Sequence, residues 1–227
     1  MNVEQNIKVA VDAIVFGYTE GKLHVLLIKQ KYGPMRGRWA LVGGFVKTSE
    51  SLIDAIHREL KEEAGIVVNF LEQLYTFGDD IKRDPRMRVI SVAYFALIKN
   101  ESVDLKADTD AEDARWFNID ELPQLAYDHQ KIYEVAMNRL RAKLTYQPIG
   151  FDLLPKEFLF SDLENLYSTI LDREIDRRNF RKKILGFEMI EETDKFAEGK
   201  PGRPAKLFRF NRQKYNRLVR DGFHFEI

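Results

Sequence analysis

The feature that most constrains the fold is an acidic segment, residues 51–64, whose apolar residues repeat with helical periodicity. On a helix that turns by about 100° per residue, Glu63 lies between Leu52 and Ile56, inside the apolar face that packs on the rest of the protein. An unpaired carboxylate there is costly, and two more glutamates within a turn add repulsion. A divalent cation would remove both penalties, and oxygen-only ligands favour Mg²⁺ or Mn²⁺. The residues expected to form the packing face are Leu52, Ile53, Ile56, Leu60 and Ala64.

Composition excludes several classes of protein. The 227 residues contain 36 basic and 36 acidic side chains, so overall charge does not attract nucleic acid. The absence of cysteine excludes a disulfide scaffold, a thiolate zinc site and a cysteine nucleophile. No apolar run approaches the roughly 20 residues that span a bilayer, and the N-terminus does not resemble a signal peptide. We therefore expect a cytoplasmic protein without a membrane partner.

Charge distribution and turn residues indicate two domains. The segment 177–220 contains 14 basic and 5 acidic residues, whereas residues 1–150 contain 20 basic and 22 acidic residues. Two prolines and a glycine at 146–155 mark the seam between them. The predicted domains are residues 1–146 and 147–227.

The first domain alternates strands with helices. A hairpin is predicted from 7–18 and 23–30, with further strands at 40–46, 67–78, 89–98 and 114–119. Helices are predicted at 51–64 and 129–143. This order predicts an α/β fold, a mixed sheet with helices packed on it.

The second domain has the order of a winged helix-turn-helix. Helices are predicted at 161–171 and 177–185, the latter capped by Asp176, followed by strands at 187–194 and 205–211. On the second helix Phe180, Ile184 and Leu185 form the predicted inward face, and basic residues occupy the rest. Such a helix can lie in the major groove of double-stranded DNA, with the basic loop 196–204 as a wing. An ordinary solvated basic face is the alternative. The candidate DNA-binding residues are Arg177, Arg178, Asn179, Arg181, Lys182, Lys200, Arg203 and Lys206.

The acidic segment resembles the Nudix hydrolase signature, with no mismatch. The matching positions are Gly44, Glu50, Arg58, Glu59, Leu60, Glu62, Glu63, Gly65 and Ile66. The resemblance implies an α/β/α sandwich and cleavage of a nucleoside diphosphate linked to another moiety. It also implies that Glu59, Glu62 and Glu63 are catalytic metal ligands, supported by Glu50 and Arg58. Two alternatives are a surface helix with solvated charges and a Nudix fold that has lost its chemistry.

Flanking segments extend this resemblance. Residues 37–44 are similar to the usual approach to the signature, and residues 77–97 resemble ADP-ribose-type members and their regulatory relatives. The arginines of the second segment are suited to bidentate phosphate contacts, although a solvated loop is the plain alternative. The expected ligand-binding residues are Gly43, Gly44, Arg83, Arg86 and Arg88.

Taken from about Ile7 to Asn211, the chain resembles the Nudix-related transcriptional regulators. The resemblance implies a homodimer that binds a palindromic operator and senses ADP-ribose, a related metabolite or a sugar. A second hypothesis is a Mg²⁺-dependent pyrophosphohydrolase that converts ADP-ribose to AMP and ribose 5-phosphate. A third is a regulator that slowly destroys its own effector. The four histidines show no pairing that suggests a catalytic or metal role.

Overall fold

A computed structural model describes residues 6–68, 70–99, 105, 111–197 and 204–227. The chain divides into two compact units. The first extends to Thr19 and continues over Leu23–Arg139, and the second comprises Glu20–Lys22 and Leu140–Ile227. The division falls upstream of the predicted boundary between residues 146 and 147, which stays a prediction.

The described part of the first unit is built on a seven-stranded mixed sheet. Its central strands run in the order β3-β2-β1-β6-β5, while β4 pairs with β1 and β7 with β2. The β1–β6 pair is parallel, and the pairs of β1 with β4, β2 with β3, β2 with β7 and β5 with β6 are antiparallel. The strands are β1 (Lys8–Thr19), β2 (Lys22–Gln30), β3 (Trp39–Ala40), β4 (Val42–Phe45), β5 (Phe70–Phe77), β6 (Val89–Ile98) and β7 (Ala111–Asn118). The mixed sheet predicted from the sequence is confirmed.

Helix α1 (Leu52–Ala64) packs the acidic segment against this sheet. Ser51 and Asp54 form a capping box at its start, and Gly65 ends it in the left-handed conformation. The expectation that Ile53 lies on the packing face is wrong, because 44% of it is exposed. Ile53 lies in the first turn, and the buried face begins only at Ala55. The buried residues of α1 are Ala55, Ile56, Glu59, Leu60, Glu63 and Ala64.

The second unit contains the predicted helix-turn-helix and hairpin. Its strands form a three-stranded antiparallel sheet in the order β8-β10-β9. Aromatic contacts join the layers, since Phe160 packs on Phe180 and Phe208. Helix α2 (His129–Tyr146) begins in the first unit and ends in the second. The other elements of the second unit are β8 (Phe158–Leu159), α3 (Phe160–Leu171), α4 (Arg177–Gly186), β9 (Ile190–Phe196), β10 (Lys206–Phe210) and α5 (Arg212–Arg220). The predicted winged helix fold is confirmed.

Two details of this unit differ from the sequence predictions. Leu185 is 39% exposed, so its assignment to the inward face of α4 is wrong. Phe180 and Ile184 are buried, and Leu185 lies about 100° around the helix from Ile184. Helix α5 was not predicted, because its basic sequence contains few apolar residues. Within the described ranges, no helix is long and apolar enough to cross a membrane.

Candidate functional site

A cavity of about 420 Å³ opens in the first unit beside α1. Its walls come from β1, β4, α1, the loop between β5 and β6, and residues 127–129. Most of the predicted catalytic and ligand-binding residues meet there. The predicted residues in its lining are Gly43, Gly44, Arg58, Glu59, Glu62, Glu63, Arg83 and Arg86.

Gly44 permits α1 to approach β4 closely, and Gly43 permits β4 to lie close to β1. A Cβ atom on Gly44 would lie 2.3 Å from Oε1 of Glu59, and one on Gly43 would lie 2.2 Å from the carbonyl oxygen of Val11. The backbone N–H of Gly43 also donates a hydrogen bond of 2.9 Å to Oε2 of Glu63. The missing side chain of Gly44 therefore leaves room for Glu59 against β4, and the backbone of Gly43 holds Glu63 there.

Arg58 holds three carboxylates in place by hydrogen bonds. Its guanidinium donates to both oxygens of Glu50 at 2.9 and 2.7 Å, to Glu59 at 2.7 Å and to Glu62 at 3.1 Å. A further bond of 3.2 Å reaches the carbonyl of Phe45. The Arg58 hydrogen bonds, helped by the backbone N–H of Lys47, lower the pKa of Glu50 to about 2. Glu50, which is not part of the cavity lining, thus fixes Arg58, and Arg58 orients Glu59 and Glu62 within the lining.

Glu59 and Glu63 are both buried, at 8% and 3% exposure. Burial raises the pKa of Glu59, although the guanidinium of Arg58 opposes the shift. In the residues that the structure describes, no three His, Asp or Glu side chains are arranged to hold a metal ion as they stand. Their chemistry nevertheless fits a hard cation, because the donors are all oxygens and a cation would favour the buried carboxylate form.

A buried polar network that the sequence did not predict lies across the cavity. Arg83 donates to both oxygens of Asp128 at 2.9 and 2.7 Å, and its Nη2 lies 3.5 Å from Oδ2 of Asp12. The hydroxyl of Ser91 donates to the same oxygen of Asp12. His129 accepts from the N–H of Leu41 at 2.9 Å, and its Nε2 lies 3.5 Å from Oδ1 of Asp12. The one signal in the sequence is Asp12, an acid in the middle of an apolar strand.

The other two arginines of the β5–β6 loop have different surroundings. Arg86 forms a bidentate pair with Asp84, with contacts of 3.0 and 2.7 Å. Its guanidinium lies 5.3 Å from the ring centre of Phe45 and 5.4 Å from that of Tyr127. Burial raises the pKa of Asp84, but the Arg86 bonds outweigh it and leave the pKa below its ordinary value. Arg88 binds the carbonyls of Gly78 and Asp80 and is not part of the cavity lining.

The candidate DNA-binding residues of α4 form an exposed basic surface. Arg177, Arg178 and Lys182 make no side-chain hydrogen bond or ion pair with any described residue. Asp176 caps the helix, accepting from the backbone N–H of Asn179 at 3.1 Å and from its side-chain amide at 2.6 Å. Three of the helix candidates are therefore available to an external partner.

The remaining candidates of this unit are engaged or outside the described residues. The guanidinium of Arg181 lies 4.2 Å from the ring centre of Phe160. Lys206 is paired with Glu192 at 2.8 Å. Lys200 and Arg203, the predicted wing residues, lie outside the described residues.

Comparison with known families assigns both units. Residues 7–137 match the NUDIX domain, and residues 150–210 match the NrtR DNA-binding winged helix domain. The chain is 35% identical to the ADPR responsive transcriptional repressor NtrR of Acinetobacter baylyi, over 91% of this chain and 83% of that protein. It is 42% identical to an ADP-ribose pyrophosphatase of Methanocaldococcus jannaschii, over 55% of this chain and 69% of that protein.

A solved structure has the same arrangement of elements over nearly the whole chain. Shewanella oneidensis NrtR, crystallised with a 27mer DNA, superimposes with a TM-score of 0.79 and 29% sequence identity. The match covers 92% of this chain and 95% of that one. The resemblance predicted from the sequence is thereby confirmed, and the chain belongs to the NrtR family, in which a NUDIX domain is followed by a DNA-binding winged helix domain.

Proposed function

We propose that this protein is a transcriptional regulator that binds operator DNA through its winged helix domain and responds to ADP-ribose bound in the Nudix cavity. The observation that carries the proposal is the α4 surface, where three cations have no partner among the described residues. Exposed, unpaired cations on a recognition helix neutralise DNA phosphates and release counterions. The relatives with the same two-domain arrangement support both partners.

On DNA, Arg177, Arg178, Asn179 and Lys182 would contact phosphates and base edges in the major groove. The further candidates Arg181, Lys200, Arg203 and Lys206 stay proposals as flanking contacts. A homodimer would place two copies of α4 about 34 Å apart on a palindromic operator. Ligand alters DNA affinity if it favours one of two spacings of these helices.

In the cavity, Arg86 is the best-placed cation for a diphosphate, since it lines the cavity and its guanidinium faces two aromatic rings. Gly43 and Gly44 would let the phosphates approach the backbone of β4. Arg83 and Arg88 were also predicted to contact ligand. All three arginines have protein acceptors, but the side chain of Arg86 is 40% exposed and lines the cavity. Arg83 is only 5% exposed and Arg88 lies outside the lining, so we assign the principal phosphate contact to Arg86.

Nudix hydrolases generally use a divalent metal. For this chain we propose Mg²⁺ or Mn²⁺, held by Glu59, Glu62 and Glu63. A bound metal ion neutralises pyrophosphate charge and activates water. The contribution of the chain itself is to present three carboxylates, oriented by Arg58 and by the backbone of Gly43.

DNA binding is tested by fluorescence anisotropy with the palindrome upstream of the protein's own gene, at several salt concentrations and with or without ADP-ribose. We expect tighter binding to the palindrome than to a scrambled duplex, a steep negative salt slope and a change in affinity with ADP-ribose. Equal affinity for both duplexes would reject a sequence-specific regulator.

The second candidate function is hydrolysis of ADP-ribose to AMP and ribose 5-phosphate. The complete set of acidic residues in the cavity favours it, as does the similarity to an ADP-ribose pyrophosphatase. Incubation with ADP-ribose and Mg²⁺, followed by measurement of AMP, tests it with Glu63→Gln as the control. Turnover that Glu63→Gln abolishes, together with specific DNA binding, would describe a regulator that consumes its effector.

A further inference from the structure

We propose that Asp12 is a positioning residue of the cavity, whose carboxylate holds the β5–β6 loop, residues 78–88, in the position that places Arg86. The loop itself contains no helix or strand. Its placement can be tested without ligand, whereas the effect on ADP-ribose affinity rests on the proposed function.

Three donors from different segments converge on Asp12, which is only 6% exposed. The hydroxyl of Ser91 donates from β6, Nη2 of Arg83 lies 3.5 Å away, and Nε2 of His129 lies 3.5 Å away at the start of α2. In β1, Asp12 therefore ties together the β5–β6 loop, the strand β6 that follows it and the start of α2, all of which lie far from Asp12 in the sequence.

His129 presents a donor to Asp12, as Ser91 and Arg83 do. The N–H of Leu41 donates to Nδ1 of His129, so in the neutral imidazole the proton resides on Nε2 and faces the Asp12 carboxylate. A carboxylate has enough lone pairs for all three donors, and its charge balances the buried Arg83. Asparagine has nearly the same shape but lacks the charge and brings two N–H donors, so it cannot replace the carboxylate.

Arg83 connects Asp12 to the loop. It is itself buried, and it joins Asp12 to Asp128 through one guanidinium. Three residues later, Arg86 lies beside Phe45 and Tyr127 at the cavity wall. Fixing Arg83 on β1 therefore fixes the part of the loop that carries the proposed phosphate contact.

Asp12 also touches the opposite wall of the cavity. It pairs in register with Gly43 of β4, where a Cβ atom would lie 2.7 Å from Oδ1 of Asp12. Gly43 in turn donates its N–H to Glu63. One carboxylate thus contacts both the strand that holds an α1 carboxylate and the arginine that holds the ligand loop.

The test is hydrogen–deuterium exchange on the full-length, ligand-free protein and its Asp12→Asn variant. We expect amides of residues 79–88 to exchange about tenfold faster in the variant, while β1 and β6 keep their protection. The matched control is Asp113→Asn, which removes a carboxylate from the partly exposed pair with Arg115 and should leave the loop unchanged.

Two results would overturn the proposal. Unchanged loop exchange would show that Asp12 does not position the loop, and faster exchange throughout the sheet would make it a residue of the fold only. If Asp12→Asn does not fold, the Asp128→Asn variant decides. It weakens the ion pair by which Asp128 holds the same guanidinium of Arg83, and it does not alter β1. The same localised increase is expected there, and its absence counts against the proposal.

Calorimetric titration with ADP-ribose then measures the consequence. Wild-type binding tests the proposed function itself, and its absence would leave the loop-exchange result intact. If the wild type binds, Asp12→Asn should raise Kd about tenfold, and Asp113→Asn should not. The double variant Arg83→Lys with Asp12→Asn should bind ADP-ribose no more weakly than the weaker-binding single variant. Both substitutions disrupt the same contact between Arg83 and Asp12, so their effects on affinity should not add. Additive losses would contradict that shared action.

Discussion

Helices α1 and α4 are both charged and both capped by a polar side chain, but their charges have opposite surroundings. In α1 the guanidinium of Arg58 contacts three carboxylates, and two glutamates are buried. In α4 the cations Arg178 and Lys182 are exposed and meet no partner in the described part of the chain. Folding thus determines where the α1 charges point, whereas the α4 charges are left for a molecule outside the chain.

This difference predicts that substitutions in α1 reduce stability, whereas substitutions in α4 reduce DNA affinity. Removing a charge from α1 leaves buried carboxylates without compensation, so stability and the cavity should suffer together. Removing a charge from α4 leaves nothing buried, so DNA affinity should fall without a change in stability. The predictions below test that separation.

The largest effect is expected from Arg58→Ala. The substitution leaves Glu59 buried without its guanidinium partner and also releases Glu50 and Glu62, so the free energy of unfolding should fall by about 3 kcal/mol. Denaturant unfolding followed by tryptophan fluorescence measures it, because Trp39 and Trp116 both lie in the first unit.

The matched control for this variant is Arg178→Ala, the same change of residue on α4. It should alter the free energy of unfolding by no more than about 0.5 kcal/mol. Equal losses in the two variants would mean that Arg58 is as dispensable as a surface arginine, and the contrast between the helices would fail.

A smaller effect is expected from Arg178→Ala combined with Lys182→Ala. Operator affinity should fall about tenfold at physiological salt, and the log–log salt slope should become shallower by about 2, since two phosphate contacts are lost. Fluorescence anisotropy measures both quantities. ADP-ribose affinity and the unfolding midpoint should not change.

Lys214→Ala is the control within the same unit, because the ammonium of Lys214 is already paired with Glu188 at 3.0 Å. It should leave both the operator affinity and the salt slope at their wild-type values. Unchanged operator binding in the double variant would reject α4 as the recognition helix.

The acidic half of the cavity was predictable because it lies on one helix. Regular spacing places Glu59 and Glu63 on the face of α1 that packs on the sheet, and the glycines of β4 lie a few residues before the start of α1. The opposite half was not predictable in this way. Asp12, Arg83 and His129 come from segments far apart in the sequence, and the pairing of β1 with β6 and the path of the β5–β6 loop bring them together.

The same distinction holds for the fold. Strands, turns and caps with strong local signals were predicted well, including the hairpin of β1 and β2. Its connection is shorter than predicted, because the strands extend to Thr19 and Lys22 and leave only Glu20 and Gly21, both with positive φ, in the turn. The errors at Ile53 and Leu185 arose because helical periodicity identifies a face but not how far the neighbouring layer extends over it. Helix α5 has only nine residues and three apolar side chains, Tyr215, Leu218 and Val219, none of them buried, so its amphipathic pattern was too short to stand out.

The smallest effect, and one confined to the first unit, concerns pH. Burial lowers the pKa of His129 below its ordinary value of 6.5, and the carboxylates of Asp12 and Asp128 only partly oppose this shift. Below pH 6.5 the unfolded chain therefore binds a proton that the folded protein does not, and this contribution to stability is lost as the pH falls toward the folded-state pKa. It should amount to at most about 1.4 kcal/mol per pH unit.

His129→Asn isolates that contribution, because the asparagine oxygen can still accept from the N–H of Leu41 but cannot be protonated in this range. The variant should be less stable than wild type at pH 7.5, and the difference should shrink as the pH falls from 7.5 to 5.5. Denaturant unfolding by tryptophan fluorescence at each pH measures it in the unit that contains the cavity. Parallel stability curves would show that the folded protein protonates His129 as readily as the unfolded chain. The buried network would then contain an imidazolium beside Asp12. In accepting a change of charge without a loss of stability, it would resemble the exposed surface of α4 more than the buried, paired charges of α1.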